Sequence, residues 1–246
     1  MSGGMSFWRV AHRGAAGSCP EHTRPAFERA IELGVDMIEM DIQLTRDRLL
    51  VVLHDREFGR TVSGAGRVRD CDLADLCSRD AGAWFDAAFA GERVLSLEDV
   101  LELTAGRAAL NLEIKSPPVD WEATAAVLVD ALTSRGLLGS TVVSCFDMGA
   151  LRCVRARAPA ARLGVLWQQP DLNAAWSHAA ELGASSIHLF WGLIDPAAVS
   201  AAHQRGLSVI AWTVNEVDMM DRLVSWGVDG IISDFPERFS RVTAPA

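Results

Sequence analysis

A repeated unit of apolar helix, glycine and strand constrains the fold of this chain more than any other feature. The segments that favour helix end at glycines, and an apolar strand segment follows each of them. These glycines are Gly34, Gly136, Gly183, Gly206 and Gly227. The strand segments start roughly two dozen residues apart, which is the spacing of a β/α unit. The sequence therefore predicts a mainly parallel sheet flanked by helices.

The length of the chain favours a closed sheet. The 246 residues are close to the length of about 250 that is typical of a single (β/α)8 barrel. Nine segments are predicted strands: Trp8–His12, Met37–Leu44, Leu49–Leu53, Ala109–Lys115, and the stretches that begin at Thr141, Arg162, Ala184, Ser208 and Gly230. An eight-stranded barrel leaves one of the nine peripheral or antiparallel. The predicted architecture is an α/β (β/α)8 TIM barrel, with 1–246 as a single domain.

Carboxylates recur on one face of two predicted strands. In 37–44 the side chains of Glu39 and Asp41 share a face, while the opposite face is wholly apolar. The pattern repeats in 109–115, where Glu113 takes the equivalent place. Close carboxylates resist joint ionisation unless a cation lies between them. The three residues are therefore predicted to bind a divalent metal, and a set of oxygen ligands favours Mg²⁺ or Ca²⁺ over Zn²⁺.

Two histidines are predicted to lie beside these carboxylates. His12 ends the first strand. The apolar run of 49–53 ends at His54, and the turn before it predicts that this strand runs antiparallel to 37–44. That pairing would return His54 to the neighbourhood of Glu39. Two imidazoles beside an ion suit an acid and a base on either side of one reacting bond.

Two basic residues complete the predicted site. Arg13 and Lys115 follow strand ends and would hold an anion such as phosphate. Lys115 shares a strand face with Glu113, so its ammonium is predicted to lose hydration on folding. We do not expect the metal ligands alone to satisfy that ammonium. A phosphoryl oxygen of a bound substrate is therefore its predicted partner.

The remaining histidines and one glutamate receive less specific interpretations. The histidines assigned to the surface are His22, His178 and His203. His188 lies on a late strand, and we interpret it as a core residue rather than as part of the pocket. The role of Glu21 stays open, because it could steady the metal ligands, steady Arg13, or only order its loop.

Composition limits the partners of the chain. The net charge of −9 argues against a nucleic acid or an anionic membrane, and leaves a small molecule as the expected partner. No apolar run approaches the ~20 residues of a membrane span. The N-terminal residues lack the pattern of a secretory signal, and the five cysteines are odd in number and form no CxxC pair. A cytoplasmic protein with reduced thiols is predicted. The oligomeric state is left open.

Several motifs resemble, in order, those of the glycerophosphodiester phosphodiesterase family. They read HRG, PE-T, IEMDIQLTRD, VVLHD, LEIK, AWTVN and GVDGIISDFP, and they span nearly the whole chain. The resemblance implies a distorted TIM barrel with an inserted segment at about 56–96. One residue departs from the family pattern, because His22 stands where the family usually has an asparagine.

The resemblance also implies a role for each motif residue. The implied metal ligands are Glu39, Asp41 and Glu113. His12 and His54 would be the acid–base pair, Arg13 and Lys115 the phosphate contacts, and Trp212 a wall against the glycerol moiety. The implied reaction is the metal-dependent hydrolysis of glycerophosphodiesters to sn-glycerol 3-phosphate and an alcohol.

Three alternative functions are less well supported by the sequence. A barrel similar to phospholipase D or C would act on intact lipids, but such proteins are often exported with disulfides. A non-catalytic barrel that binds phosphodiesters would not need both histidines and all three carboxylates. A metal-dependent sugar or enolate enzyme would not readily explain two histidines beside an arginine and a lysine. The preferred alcohol, the physiological metal and the formation of a cyclic phosphate are left open.

Overall fold

A computed structural model of the protein describes residues 7–115 and 120–243. The ten strands are β1 (Trp8–His12), β2 (Met37–Leu44), β3 (Leu50–Val52), β4 (Leu95–Ser96), β5 (Ala109–Ile114), β6 (Thr141–Cys145), β7 (Arg162–Trp167), β8 (Ser186–Phe190), β9 (Ser208–Trp212) and β10 (Gly230–Ser233). The eight α-helices in the described residues are α1 (Arg24–Glu32), α2 (Leu73–Cys77), α3 (Leu97–Thr104), α4 (Trp121–Ser134), α5 (Met148–Arg157), α6 (Leu172–Leu182), α7 (Pro196–His203) and α8 (Val217–Ser225).

Eight of the strands form a closed parallel barrel. Each of β5 to β9 pairs in parallel with the strand that follows it, β2 pairs with β5, and β1 pairs with both β2 and β10. The predicted (β/α)8 TIM barrel is confirmed. The strand β3 is the peripheral one, and it runs antiparallel to β2 as expected. The two-residue strand β4, which pairs with β3, was not predicted because two residues show no periodicity.

The helices pack their apolar sides against the outside of the barrel and form the main hydrophobic core. Gly183 ends α6 in a left-handed conformation (φ 57°), in agreement with the glycine signal of the sequence. Inside the barrel the side chains of Val10, Met37 and Ile210 belong to a separate cluster. None of the described helices has both the length and the apolar character needed to cross a membrane.

Residues 56–96 pack against β3 as a small unit with its own apolar cluster. Besides α2, this segment contains two short 3₁₀ helices, Val68–Asp70 and Ala87–Phe89. Its buried members are Val62, Val68, Leu76, Ala81 and Val94, which contact Val51 and Leu53. Because β3 leads directly into His54, the segment lies beside the carboxyl ends of the barrel strands.

Candidate active site

The three predicted metal ligands meet at the carboxyl ends of two neighbouring strands. Glu39 and Asp41 come from β2, and Glu113 comes from β5, where it lies opposite Asp41 in the parallel register. One oxygen atom from each carboxylate lies within 4.8 Å of the others. The alternation of β2 directs both of its carboxylates into the barrel, and all three residues are buried. The structure thus brings this predicted set together.

Two cations lie against this cluster. The Nε atom of Arg13 is 3.2 Å from Oδ2 of Asp41. The Nζ atom of Lys115 is 3.2 Å from Oδ1 of Asp41 and donates a hydrogen bond of 2.7 Å to Oε1 of Glu113. Lys115 thus has two carboxylates within reach, and its ammonium makes one hydrogen bond to them. The predicted phosphoryl partner stays a prediction. If all three carboxylates ionise, the two cations leave one negative charge uncompensated.

The electrostatics of the cluster favour an additional cation. Burial and the charges of the neighbouring carboxylates raise the pKa of Glu39 well above its usual value. Burial and the charge of Asp41 raise the pKa of Glu113 to about 7, against the effect of Lys115. Burial alone would raise the pKa of Asp41, but Lys115 and Arg13 lower it below its usual range. Burial and mutual repulsion thus oppose joint ionisation of the three carboxylates, and a further positive charge would favour it.

The donor set fits a hard divalent ion. Both oxygens of Asp41 are buried, and neither accepts a hydrogen bond from any described residue. Oxygen atoms of three carboxylates are the ligands that Mg²⁺ and Ca²⁺ prefer. The residues that would hold such an ion are Glu39, Asp41 and Glu113.

A carboxylate orients each of the two predicted catalytic histidines. His12 ends β1, and its Nδ1 atom lies 2.6 Å from Oδ1 of Asp234. The other oxygen of Asp234 accepts a hydrogen bond of 2.8 Å from Asn215. This pairing directs Nε2 of His12 towards Glu39, whose Oε2 is 3.8 Å away. On the other side of the site, Nδ1 of His54 lies 2.7 Å from Oδ1 of Asp55.

His54 is suited to accept a proton. Burial lowers the pKa of His54, and nearby Arg13 and Lys115 act in the same direction. The neutral ring donates from Nδ1 to Asp55, so Nε2 is left as the acceptor. The antiparallel pairing of β3 delivers the ring to this position, since Leu53 donates its backbone N–H to the carbonyl of Asp41.

Seven of the eight predicted site residues line one cavity of about 110 Å³, and Asp41 is not part of its lining. Those that line it are His12, Arg13, Glu39, His54, Glu113, Lys115 and Trp212. A wider and more open cleft of about 650 Å³ shares His54, Glu113 and Lys115 with it and continues along residues 55–60. The site therefore has a small enclosed side and a large open side, with the carboxylates and cations between them.

Aromatic rings form one wall of the enclosed side. Trp212 is half-buried, and its Nε1 donates a hydrogen bond of 2.9 Å to the carbonyl of His188. Phe146 packs edge-on against the Trp212 ring, with the ring centroids 5.4 Å apart, and the Phe190 ring centroid lies 5.9 Å from that of Trp212. The sequence did not reveal Phe146, because one aromatic residue after a strand is not a distinctive signal.

The structure confirms His188 as a core residue. It is buried inside the barrel, where its Nε2 lies 2.9 Å from Oγ of Ser186. It is absent from the cavity that the predicted catalytic residues line. His203 is exposed and His178 is half-buried.

The assignment of His22 to the surface was wrong. His22 is only 3% exposed, and its Nε2 accepts a hydrogen bond of 3.2 Å from the backbone N–H of Asp41. Burial lowers its pKa to about 3, so the ring is neutral. His22 has a positive φ of 61°, a conformation that is uncommon for a residue other than glycine, and its side chain is buried. The polar residues of this loop had predicted a position at the surface.

We expect His22→Leu to destabilise the protein more than His22→Gln. Leucine fills the space but leaves the Asp41 N–H without an acceptor, which costs about 1–3 kcal/mol. The carboxamide oxygen of glutamine can take over the hydrogen bond. The comparison is made by chemical denaturation at pH 7. Equal free energies of unfolding for the two variants would contradict the role assigned to this hydrogen bond.

Glu21, whose role the sequence left open, contacts Arg13 rather than the carboxylate cluster. Its Oε1 accepts a hydrogen bond of 2.9 Å from Nη1 of Arg13. Arg13 also donates its backbone N–H to Oε2 of Glu39, at 3.2 Å. Arg60, which the sequence did not single out, also donates to both oxygens of Glu21.

The fold and the site together define a TIM-barrel enzyme with a candidate metal centre at the carboxyl ends of its strands. Residues 12–238 match the profile of the Glycerophosphoryl diester phosphodiesterase family. The chain belongs to this family, and it is an enzyme of the glycerophosphodiester phosphodiesterase class.

Relatives of known name support this membership. The glycerophosphodiester phosphodiesterase of Caldanaerobacter subterraneus subsp. tengcongensis is 40% identical over 93% of this chain and 94% of its own length. An enzyme of the same name from Bacillus subtilis is 32% identical over 95% of this chain and 85% of its own. A phosphodiesterase of Oleispira antarctica, solved in complex with the product sn-glycerol-3-phosphate, is 28% identical. It has a TM-score of 0.88 and covers 94% of each chain.

Proposed function

We propose that the protein hydrolyses glycerophosphodiesters to sn-glycerol 3-phosphate and an alcohol, with a divalent metal ion and two histidines. The observation that carries this proposal is the buried carboxylate cluster that lies between two cations and two oriented histidines. The product complex of the Oleispira antarctica relative supports the same choice of substrate class.

The charges of the site match such a substrate. The three carboxylates outnumber Arg13 and Lys115, and Arg13 is also shared with Glu21, so a divalent ion would offset the excess negative charge. A phosphodiester carries one negative charge, which the ion, Arg13 and Lys115 would then attract. When bound, a divalent ion polarises a phosphoryl oxygen and lowers the charge barrier to attack at phosphorus.

The two histidines would move the protons of the reaction. One imidazole takes the proton of the attacking hydroxyl as its oxygen bonds to phosphorus. The other gives a proton to the leaving oxygen as its bond to phosphorus breaks. The attacking group is either the neighbouring glycerol hydroxyl, which gives a cyclic phosphate that water then opens, or water itself. Asp234 and Asp55 keep Nε2 of each ring available for these transfers.

The shapes of the two cavities suggest where each part of the substrate binds. The enclosed cavity beside Trp212 and Phe146 would hold the compact glycerol moiety. The open cleft along residues 55–60 would hold the leaving alcohol. We also propose a cytoplasmic location and a small molecule rather than a nucleic acid as the partner, on the basis of the net charge and the cysteine pattern.

A panel of phosphodiesters tests the proposed substrate class. The panel contains glycerophosphocholine, glycerophosphoethanolamine, bis(p-nitrophenyl) phosphate and vesicles of intact phosphatidylcholine, each assayed with Mg²⁺ and with Ca²⁺. We expect release of sn-glycerol 3-phosphate from the two glycerophosphodiesters and little action on the vesicles. Faster hydrolysis of the intact lipid would favour a phospholipase-like enzyme, and no turnover of any compound would favour a binding protein.

We expect Lys115→Met to separate phosphate binding from metal binding. Methionine keeps most of the apolar stem and removes a positive charge that lies 3.2 Å from Asp41. Metal affinity should stay within a few-fold or rise, because a competing cation is lost. The value of kcat/KM should fall, and inorganic phosphate should inhibit more weakly. The measurements are metal titration by calorimetry and phosphate inhibition of turnover.

If Lys115→Met instead abolishes metal binding and leaves phosphate inhibition unchanged, Lys115 is a structural partner of Glu113. The hydrogen bond of 2.7 Å between these two residues makes this outcome a genuine alternative. A matched control is Arg48→Met, which removes an exposed cation that is paired with Asp120 on the surface. This control should change neither the metal affinity nor the inhibition by inorganic phosphate.

A further inference from the structure

Arg60 joins two loops that carry the proposed catalytic residues. It lies in the segment of 56–96, outside the barrel. Its guanidinium donates to both oxygens of Asp55, from Nε at 2.5 Å and from Nη2 at 3.1 Å. It also donates to both oxygens of Glu21, from Nη1 at 3.0 Å and from Nη2 at 2.8 Å. One side chain thus makes four hydrogen bonds to two carboxylates.

Each of these carboxylates holds a different group of the site. Asp55 accepts from Nδ1 of His54, which fixes the tautomer of that ring. Glu21 accepts from Nη1 of Arg13 through the oxygen that also accepts from Nη2 of Arg60. Without Arg60, Asp55 and Glu21 would lose the bridge that fixes their positions relative to each other.

Burial makes this bridge more important for Glu21 than for an ordinary surface carboxylate. The side chain of Glu21 is only 10% exposed. Burial alone would raise its pKa, but the hydrogen bonds from Arg60 and the charge of Arg13 lower it to about 2. The carboxylate therefore stays ionised in a partly dehydrated position, where it needs two donors to fix its orientation.

We propose that Arg60 is a positioning residue that sets the orientation of His54 through Asp55 and the orientation of Arg13 through Glu21. The segment of 56–96 thereby couples proton transfer to phosphate binding. Arginine is suited to this role because its rigid fork binds two carboxylates at once, which the single ammonium of lysine does not reproduce. The inference rests on the proposed roles of His54 and Arg13 in catalysis.

The effect on turnover should exceed the effect on stability. The Arg60 side chain is 46% exposed, and ion pairs at such positions contribute little to the free energy of unfolding. Partners that orient metal ligands are commonly worth ~10–100-fold in metal affinity or activity, and we expect an effect of the same order from a residue that orients His54 and Arg13. A merely structural role would give the opposite pattern, with a lower melting temperature and unchanged kinetics.

The test compares Arg60→Gln and Arg60→Lys with Arg46→Gln, in enzyme supplied with saturating Mg²⁺ or Ca²⁺. Arg46 is a matched control, because it donates two hydrogen bonds to a carboxylate as Arg60 does to each of its partners. Its pair with Asp72 is exposed and lies away from the site. The readouts are kcat and KM for glycerophosphocholine, inhibition by inorganic phosphate, and the ¹⁵N shifts of the His54 ring.

We expect Arg60→Gln to lower kcat by ~10–100-fold, to weaken phosphate inhibition several-fold, and to replace the single His54 tautomer with a mixture. Arg60→Lys should recover only part of each loss, and Arg46→Gln should match the unmodified enzyme. If Arg60→Gln keeps the kinetics and the His54 shifts of the unmodified enzyme, the proposal is overturned. If Arg60→Gln does not fold, the same test is made with Arg60→Lys. Unchanged kinetics and unchanged His54 ¹⁵N shifts in that variant would also overturn the proposal.

The failure of this inference can be distinguished from a failure of the proposed function. If His54→Ala and Arg13→Ala retain full turnover, the proposed catalytic roles are wrong, whatever Arg60 does. If those two variants are impaired while both Arg60 variants behave like the unmodified enzyme, only the positioning role is wrong.

Discussion

Replacing either His12 or His54 with alanine is expected to lower kcat by about 10²–10⁴-fold, the usual contribution of one positioned acid or base. Both rings lie at the ends of barrel strands, and both are held by a carboxylate through Nδ1. Their side chains are 18% and 31% exposed, so truncation leaves no closed cavity and the fold should survive. The measurement is turnover of glycerophosphocholine, with circular dichroism as a check of folding.

A good leaving group should show which ring is the acid. A variant that lacks the acid should still cleave a p-nitrophenyl diester, because p-nitrophenolate departs without a proton. A variant that lacks the base should be slow on both substrates. His203→Ala is the matched control, since His203 also pairs with a carboxylate, Asp229, but on the surface. Turnover within a few-fold of the unmodified enzyme in His12→Ala or His54→Ala would remove that ring from the mechanism.

The second large effect is expected for Glu39→Gln, which should abolish activity and yet stabilise the metal-free protein. Glutamine keeps the size and an acceptor oxygen for the backbone N–H of Arg13, but it removes one of three repelling carboxylates. Loss of a metal ligand should lower kcat by about 10³-fold or more, because the charge stabilisation supplied by a metal is worth several kcal/mol and each 1.4 kcal/mol is tenfold.

The stabilisation by Glu39→Gln should depend on pH in a definite direction. The folded state raises the pKa of Glu39 above its usual 4.5, so the folded protein holds that proton more tightly than the unfolded chain does. The stability that this proton confers is fully present below pH 4.5 and is lost as the pH rises above that value. Glutamine cannot lose a proton, so the variant should gain most over the unmodified protein at pH 8 and little at pH 4.5.

Thermal unfolding with and without Ca²⁺ or Mg²⁺ measures both parts of this prediction. The ion should raise the melting temperature of the unmodified protein and should have little effect on Glu39→Gln. Glu181→Gln is a suitable control, because Glu181 is an exposed partner of Arg152 and lies in α6. A metal-free Glu39→Gln protein that is less stable than the unmodified one at pH 8 would show that repulsion does not dominate this cluster.

The sequence predicted the carboxylate cluster because strand periodicity is local. Alternation along β2 was enough to place Glu39 and Asp41 on one face, and the same pattern in β5 added Glu113. The antiparallel return of β3 followed from a short turn. Closure of the barrel depends on the pairing of β1 with β10, which joins residues more than two hundred positions apart and has no local signature.

Two of the residues that the sequence missed, His22 and Arg60, depend on the conformation of loops and on contacts between them. His22 is buried because its backbone turns into the left-handed region, which a polar side chain in a polar loop does not indicate. Arg60 reaches Glu21 across 39 positions, so its role could not be read from its neighbours in the sequence. Lys115 was correctly placed beside Glu113, but its distance to Asp41 depends on the register of two strands and could not be read from the sequence.

The release of sn-glycerol 3-phosphate from glycerophosphocholine, measured after exhaustive chelation and again after the return of Mg²⁺ or Ca²⁺, tests the central claim most directly. The buried carboxylates, which outnumber the two cations beside them, predict no release from the chelated protein and recovery with at least one of the two ions. Full release from the chelated protein would contradict the metal-dependent mechanism.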